Sequence, residues 1–99
     1  MKIWISCDME GVAGVVDWDQ CSVGAPRYEL GCELLLGEVN AAIEGAIAGG
    51  ADEVVVNDSH SRMANLDPRK LAGGARYLSG RHKPLYMICL LYTSPSPRD

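Results

Sequence analysis

The residues of this chain best equipped for chemistry lie in two short polar stretches, Ser6-Cys7-Asp8-Met9-Glu10-Gly11 and Asn57-Asp58-Ser59-His60-Ser61. Asp8 and Glu10 follow the apolar run Ile3-Trp4-Ile5, one residue apart from each other. If they continue a strand, alternate residues share a face and each rises about 3.3 Å, so the two carboxylates project the same way from α-carbons roughly 6–7 Å apart. Two acids that close repel each other and hold protons unless a cation or hydrogen-bond donors lie between them. Asp8, Glu10 and His60 together form a set of ligands that divalent zinc accepts from carboxylate and neutral imidazole. A carboxylate can also bridge two ions, which in two-metal sites stand about 3.5–4 Å apart, a gap that the Asp8 and Glu10 spacing spans. Such a site acidifies bound water and polarises a carbonyl, and its natural use is hydrolysis of a peptide or amide.

Plainer readings compete with this one. The acid pair also suits an exposed turn, His60 an ordinary hydrogen-bonding role, and Asp58 a turn cap. Ser59 and Ser61 are not framed by a G-x-S-x-G elbow, which rejects a serine hydrolase. Gly11 and Gly14 fall short of the three-glycine dinucleotide fingerprint, so no nucleotide cofactor is expected. The four cysteines, Cys7, Cys21, Cys32 and Cys89, form no C-x-x-C pair and read as reduced and structural. Thiolate zinc sites want short paired spacings, so any metal here must use oxygen and imidazole ligands.

The elements that must position these groups follow from the pattern. Lys2 to Cys7 is short, apolar and β-branched at Ile3 and Ile5, and reads as a buried strand ending at the acid pair. Val12 to Pro26 has no clean period and reads as a long loop over that strand's end. From about Arg27, Leu30, Leu34, Leu35, Val39, Ala42, Ile43, Ala46 and Ile47 recur at the spacing of one helical face. Glu29, Glu33, Glu38 and Glu44 line its wet side, and Gly49-Gly50 supplies a left-handed stop. Gly31, Gly37 and Gly45 weaken the helix, so packing must hold it. Asp52 to Asn57 is a continuous β-branched run, the mark of a strand covered on both faces. Strand, helix, strand makes a right-handed parallel unit, which brings the polar end of the second strand beside that of the first. Asp67-Pro68 reads as an N-cap and first residue of a short turn through Leu71, and Ala75 to Ser79 as a third, weaker strand. The fold class is therefore α/β, with a parallel sheet.

At 99 residues and net charge −4, the chain is one domain at most, with no basic stripe for nucleic acid. No apolar run approaches a membrane span, and the start lacks a signal-peptide h-region, which predicts a soluble, cytoplasmic protein. The final stretch, Cys89 to Asp99, resembles an in-frame translation of a transposase sequencing adapter. On that reading residues 1–88 form the domain and 89–99 are a tail without one; a natural Ser-Pro tail is the alternative.

Ile5 to Gly14, Arg27-Tyr28-Glu29 and Val56 to Ser61 together resemble the zinc-dependent D-aminopeptidase family associated with dipeptide-transport operons. The paired motifs S-x-D-x-E-G and N-D-S-H are specific in combination, and Ser79-Gly80 with Lys83-Pro84 also matches at the right distance. The resemblance runs from Met1 to about Ile88. It implies a Rossmann-like three-layer fold, present here only in its N-terminal part. It also implies a two-zinc exopeptidase, built as a ring of identical chains, that removes D-amino acids from the amino end of short peptides. The residue matching Asp8 bridges the ions in that family, and those matching Glu10 and His60 complete part of the shell. The remaining ligands and the nucleophile have no counterpart in this chain, and His82 matches none of them. A half-built site and an uncovered sheet edge predict an inactive fragment that holds zinc weakly and folds poorly or aggregates. Two other functions remain open from sequence: a magnesium phosphohydrolase of the haloacid dehalogenase type, whose first strand ends in D-x-D, and a non-catalytic metal-binding domain.

Overall fold

The computed structural model describes residues 1–84. The adapter-like stretch 89–99 lies outside them. Three parallel strands form one sheet in the order β1 (Lys2–Cys7), β2 (Glu53–Asp58), β3 (Arg76–Leu78), and a single long helix, α1 (Tyr28–Ala48), connects the first two. This is the α/β arrangement expected from the pattern. β1 pairs with β2 from Lys2 opposite Glu53 to Cys7 opposite Asp58, so both strands end at the same level. The two polar stretches are thereby neighbours.

β2 is buried from Val54 to Asp58. A parallel strand in the middle of a sheet has no solvent face, which explains the unbroken β-branched run. Val54 and Val56 join Cys7, Met9, Leu35, Val39, Ile43 and Leu66 in one core.

The buried face of α1 differs from the one the leucines suggest. Gly31, Leu35, Val39 and Ile43 are buried in a strict four-residue row, whereas Leu30 and Ile47 are each 42% exposed and Ala42 is also exposed. Gly31 begins this row and packs tightly on the loop before the helix: a Cβ there would stand 2.0 Å from the Gln20 carbonyl oxygen and 2.7 Å from Met9 Cε. Centring the contact on a glycine rotates Leu30 to the rim. At the other end, the Gly50 N–H bonds to the Ile47 carbonyl at 3.0 Å and the Ala51 N–H to the Ala46 carbonyl at 3.0 Å, with Gly50 at φ +105°. These are the paired bonds of a Schellman stop, and they turn the chain directly into β2.

The connection to β3 contains the turn expected at Asp67-Pro68: Pro68–Lys70 form a 3₁₀ turn whose Asp67 carboxylate accepts from the Arg69 N–H. The third strand is there too, shortened to three residues. Among the described residues, β1 and β3 are the sheet's edges. No helix among them is long and apolar enough to cross a membrane.

Candidate metal centre

β1 ends at Cys7, as its pattern indicates, and the first acid follows directly, so Asp8 and Glu10 lie in a turn beyond the strand and the strand-face spacing does not apply to them. Met9, wholly buried between them, anchors the turn into the core. Asp8 then accepts the Met9 N–H at 2.8 Å. The acids still converge, but through the turn and not through a strand's alternation.

They converge on His60. Its Nδ1 lies 2.8 Å from Asp8 Oδ1 and 3.1 Å from Glu10 Oε1. One ligand atom from each of Asp8, Glu10 and His60 lies within 4.8 Å of the other two. The imidazole is buried, while the Asp8 and Glu10 side chains are 42% and 45% exposed. The group is thus closed on the protein side and open on the other, as a catalytic metal site requires.

The other ring nitrogen determines what Nδ1 can do. His60 Nε2 is 2.7 Å from the Cys21 carbonyl oxygen. A carbonyl only accepts, so Nε2 carries a proton and donates it. A neutral imidazole therefore turns the Nδ1 lone pair toward two carboxylate oxygens, an arrangement that needs a cation or a proton between them. Burial pulls the His60 pKa down, but the Cys21 carbonyl, the Asp8 hydrogen bond and the Glu10 charge outweigh it, and the net shift is upward. The donor set, two carboxylates and an imidazole with its second nitrogen held by a backbone carbonyl, fits a zinc ion in both chemistry and orientation.

That orienting carbonyl belongs to the loop before α1, and no side-chain pattern marks it. Asp17 caps a 3₁₀ turn at Trp18–Gln20. The Gln20 side chain, 1% exposed, takes the Val16 and Asp17 N–H groups on Oε1 at 2.7 and 3.0 Å and donates from Nε2 to the Gly14 carbonyl at 2.9 Å. One glutamine therefore fixes the loop that aims Cys21 at His60.

Asp58 is not part of the metal group. Wholly buried, it accepts from the Asn65 backbone and side chain at 2.7 and 2.8 Å and from the Tyr77 hydroxyl at 2.6 Å. Asn65 in turn donates to the His60 carbonyl at 2.8 Å and accepts from Tyr28 Oη at 2.5 Å. The aspartate is a turn cap, as its position suggested, and it also links β2, β3 and α1. Ser59 is likewise structural, donating to the Cys7 carbonyl at 2.5 Å and accepting from Ser6 Oγ at 3.0 Å. Lys83 Nζ bonds Asn57 Oδ1 at 2.7 Å and the carbonyls of Asp58 and Leu78, tying the ends of β2 and β3 together. His82 is exposed and outside the group. Cys7, Cys21 and Cys32 are free thiols. Burial is the main cause that pushes Cys7 up to about 12, helped by the charge of Asp58, and burial raises Cys21 and Cys32 as well.

A family model described as D-aminopeptidase matches residues 1–96. This chain belongs to the D-aminopeptidase family. It is 42% identical over 88 residues to the D-aminopeptidase of Bacillus subtilis (strain 168), a match covering 89% of this chain and 32% of that protein. A solved structure described as "Zn-dependent D-aminopeptidase DppA from Bacillus subtilis, a self-compartmentalizing protease" superposes with a TM-score of 0.86 at 42% identity, over 89% of this chain and 32% of that one. The chain therefore spans about a third of the length of these D-aminopeptidases.

Proposed function

We propose that this chain is the amino-terminal part of a zinc-dependent aminopeptidase that releases D-amino acids from the amino end of short peptides, with Asp8, Glu10 and His60 as the zinc ligands it contributes. The observation that carries the reading is the orientation of His60: Nε2 is spent on the Cys21 carbonyl, and Nδ1 faces two carboxylates. A bound zinc pair would supply Lewis-acid polarisation of the scissile carbonyl and activation of water. The chain's own part is to hold that charge in place. Asp8, open to solvent on one side, would hold both ions, and Glu10 beside it would hold one of them. The Asp58 and Asn65 network holds the turn that carries His60, so the imidazole does not rotate away. The family match and the description of the Bacillus subtilis enzyme as Zn-dependent support the metal.

The complete protein is cytoplasmic and assembles from identical chains, in keeping with the self-compartmentalizing description of that relative. The further metal ligands and the nucleophile belong to the part of the enzyme beyond this chain, and the chain by itself is inactive. Residues 89–99 derive from a sequencing adapter; the family match runs to residue 96, into this stretch, so genomic sequence past Ile88 tests the assignment directly. The activity test is release of D-alanine from D-alanine amide by the complete protein. Asp8→Asn and His60→Gln should lose zinc and activity together. Retention of activity in either variant, or magnesium-dependent cleavage of a phosphate ester without zinc, rejects the reading.

A further inference from the structure

A cleft of about 400 Å³ adjoins the Asp8, Glu10 and His60 group, lined by Glu10, Trp18, Val23, His60, Ser61 and Arg62 among others. Its volume lies within the range of small-molecule sites. Its contents are unusual for a protein surface. Trp18 is 72% exposed and Val23 43% exposed, so two large apolar side chains stand uncovered beside the candidate metal ligands. Arg62 is exposed as well, and among the described residues it makes no hydrogen bond or ion pair. Arg27, Arg69 and Arg76 each grip a carboxylate, of Asp19, Asp67 and Glu53 respectively, while Arg81, which like Arg62 makes no such bond among the described residues, does not line the cleft.

The backbone that presents Arg62 is held with unusual firmness. Its neighbours Ser61 and Met63 adopt φ of +51° and +58°, a region that non-glycine residues avoid. Such conformations persist only where the surroundings over-determine them, and they concentrate at binding and active sites. Here the Met63 N–H bonds the His60 carbonyl at 2.7 Å, the Asn65 side chain bonds the same carbonyl at 2.8 Å, and the Gly80 N–H bonds the Met63 carbonyl at 2.6 Å. The chain fixes the backbone on both sides of Arg62, and among the described residues the guanidinium has no hydrogen-bond or ion-pair partner.

We propose that Arg62 binds the terminal carboxylate of a short peptide lying in this cleft, with the peptide's side chains against Trp18 and Val23 and its amino end at the metal group. A guanidinium matches a carboxylate in shape, two parallel N–H donors to two oxygens. With Glu10 held by the metal group, Arg62 leaves the other side of the cleft a positive charge that complements the carboxylate of a free peptide. An anchor at a set position along the cleft selects by length: a peptide too long to bring its carboxylate to Arg62 gains nothing from it. The inference rests on the aminopeptidase reading and names how that site chooses short substrates.

The test is titration of the zinc-loaded chain, by calorimetry, with the D-Leu-D-Leu dipeptide and with its C-terminal amide. The free acid should bind at least tenfold more tightly than the amide. Arg62→Gln should erase that difference by weakening the acid alone, and Arg62→Lys should restore part of it, with zinc affinity unchanged in both. In the complete protein Arg62→Gln should raise KM for the acid about tenfold, leaving kcat and the KM for the amide as they were. Equal binding of acid and amide to the unmodified chain, or equal weakening of both by Arg62→Gln, overturns the anchor while zinc binding stands. Failure of the complete protein to hold zinc overturns the aminopeptidase site, and the anchor with it.

Discussion

Replacing Gly31 with alanine should destabilise the protein, although the same change elsewhere in the same helix should stabilise it. Alanine is favoured over glycine in a helix by about 1 kcal/mol, and that gain is available at Gly37 and Gly45, where an added methyl group meets nothing within 4 Å. At Gly31 the methyl would stand 2.0 Å from the Gln20 carbonyl oxygen. That atom is backbone, so no side-chain rotation relieves the overlap; helix and loop must part. Overpacking of this kind costs typically 1–3 kcal/mol, and moving the Gln20–Cys21 segment also strains the bond from His60 Nε2 to the Cys21 carbonyl, worth about 1 kcal/mol. Against the propensity gain the net loss is about 1–3 kcal/mol. In a domain of this size each 1 kcal/mol moves Tm by about 4–8 °C. Thermal unfolding of the zinc-loaded chain, followed by far-ultraviolet circular dichroism, should therefore place Gly31→Ala below the unmodified chain and Gly37→Ala and Gly45→Ala above it. Zinc affinity should fall only in the first. A rise in Tm for Gly31→Ala would show that the contact at Gln20 does not constrain the fold.

Other expectations follow from the same contacts. Asp58→Ala leaves the Asn65 amide, its side-chain NH₂ and the Tyr77 hydroxyl without their acceptor in a buried site, at roughly 1–3 kcal/mol each, so its urea midpoint should fall well below that of Tyr77→Phe, which removes one donor. The raised pKa of His60 makes its contribution to the metal-free chain fully present below the unfolded value near 6.5 and lost as pH rises through the folded value. With zinc the sign reverses, since the metal must displace the Nδ1 proton; melts across that range, with and without a chelator, should slope in opposite directions. Cys7, pushed up to about 12 and buried, should resist iodoacetamide at neutral pH until the chain is unfolded.

Much of the frame was legible because it depends on side-chain pattern. The apolar run at Ile3 to Ile5, the β-branched run at Val54 to Val56 and the glycine pair at 49–50 each have a single physical reading, and each element appears where that reading puts it. The convergence of the two polar stretches followed from parallel pairing, which levels the ends of β1 and β2. What escaped was carried by backbone. The Cys21 carbonyl that orients His60 has no sequence signature, and Gln20 resembles any loop glutamine until its three bonds are seen. The buried row of α1 runs through Gly31 and leaves Leu30, Ala42 and Ile47 exposed, because a glycine that packs tightly on the loop is silent in a hydrophobic pattern. The strand ends at Cys7 as its pattern indicates, and the acids beyond it converge through a turn anchored by the buried Met9, a role that an apolar residue between two acids does not reveal.

The central claim is that Asp8, Glu10 and His60 hold zinc together, and competition with a chromophoric chelator measures it directly. The unmodified chain should bind zinc with an affinity weaker than micromolar, as befits a site lacking its remaining ligands, and Asp8→Asn, Glu10→Gln and His60→Gln should each weaken it at least about tenfold, or 1.4 kcal/mol. Zinc binding of equal strength in all three variants would place the metal elsewhere and contradict the account.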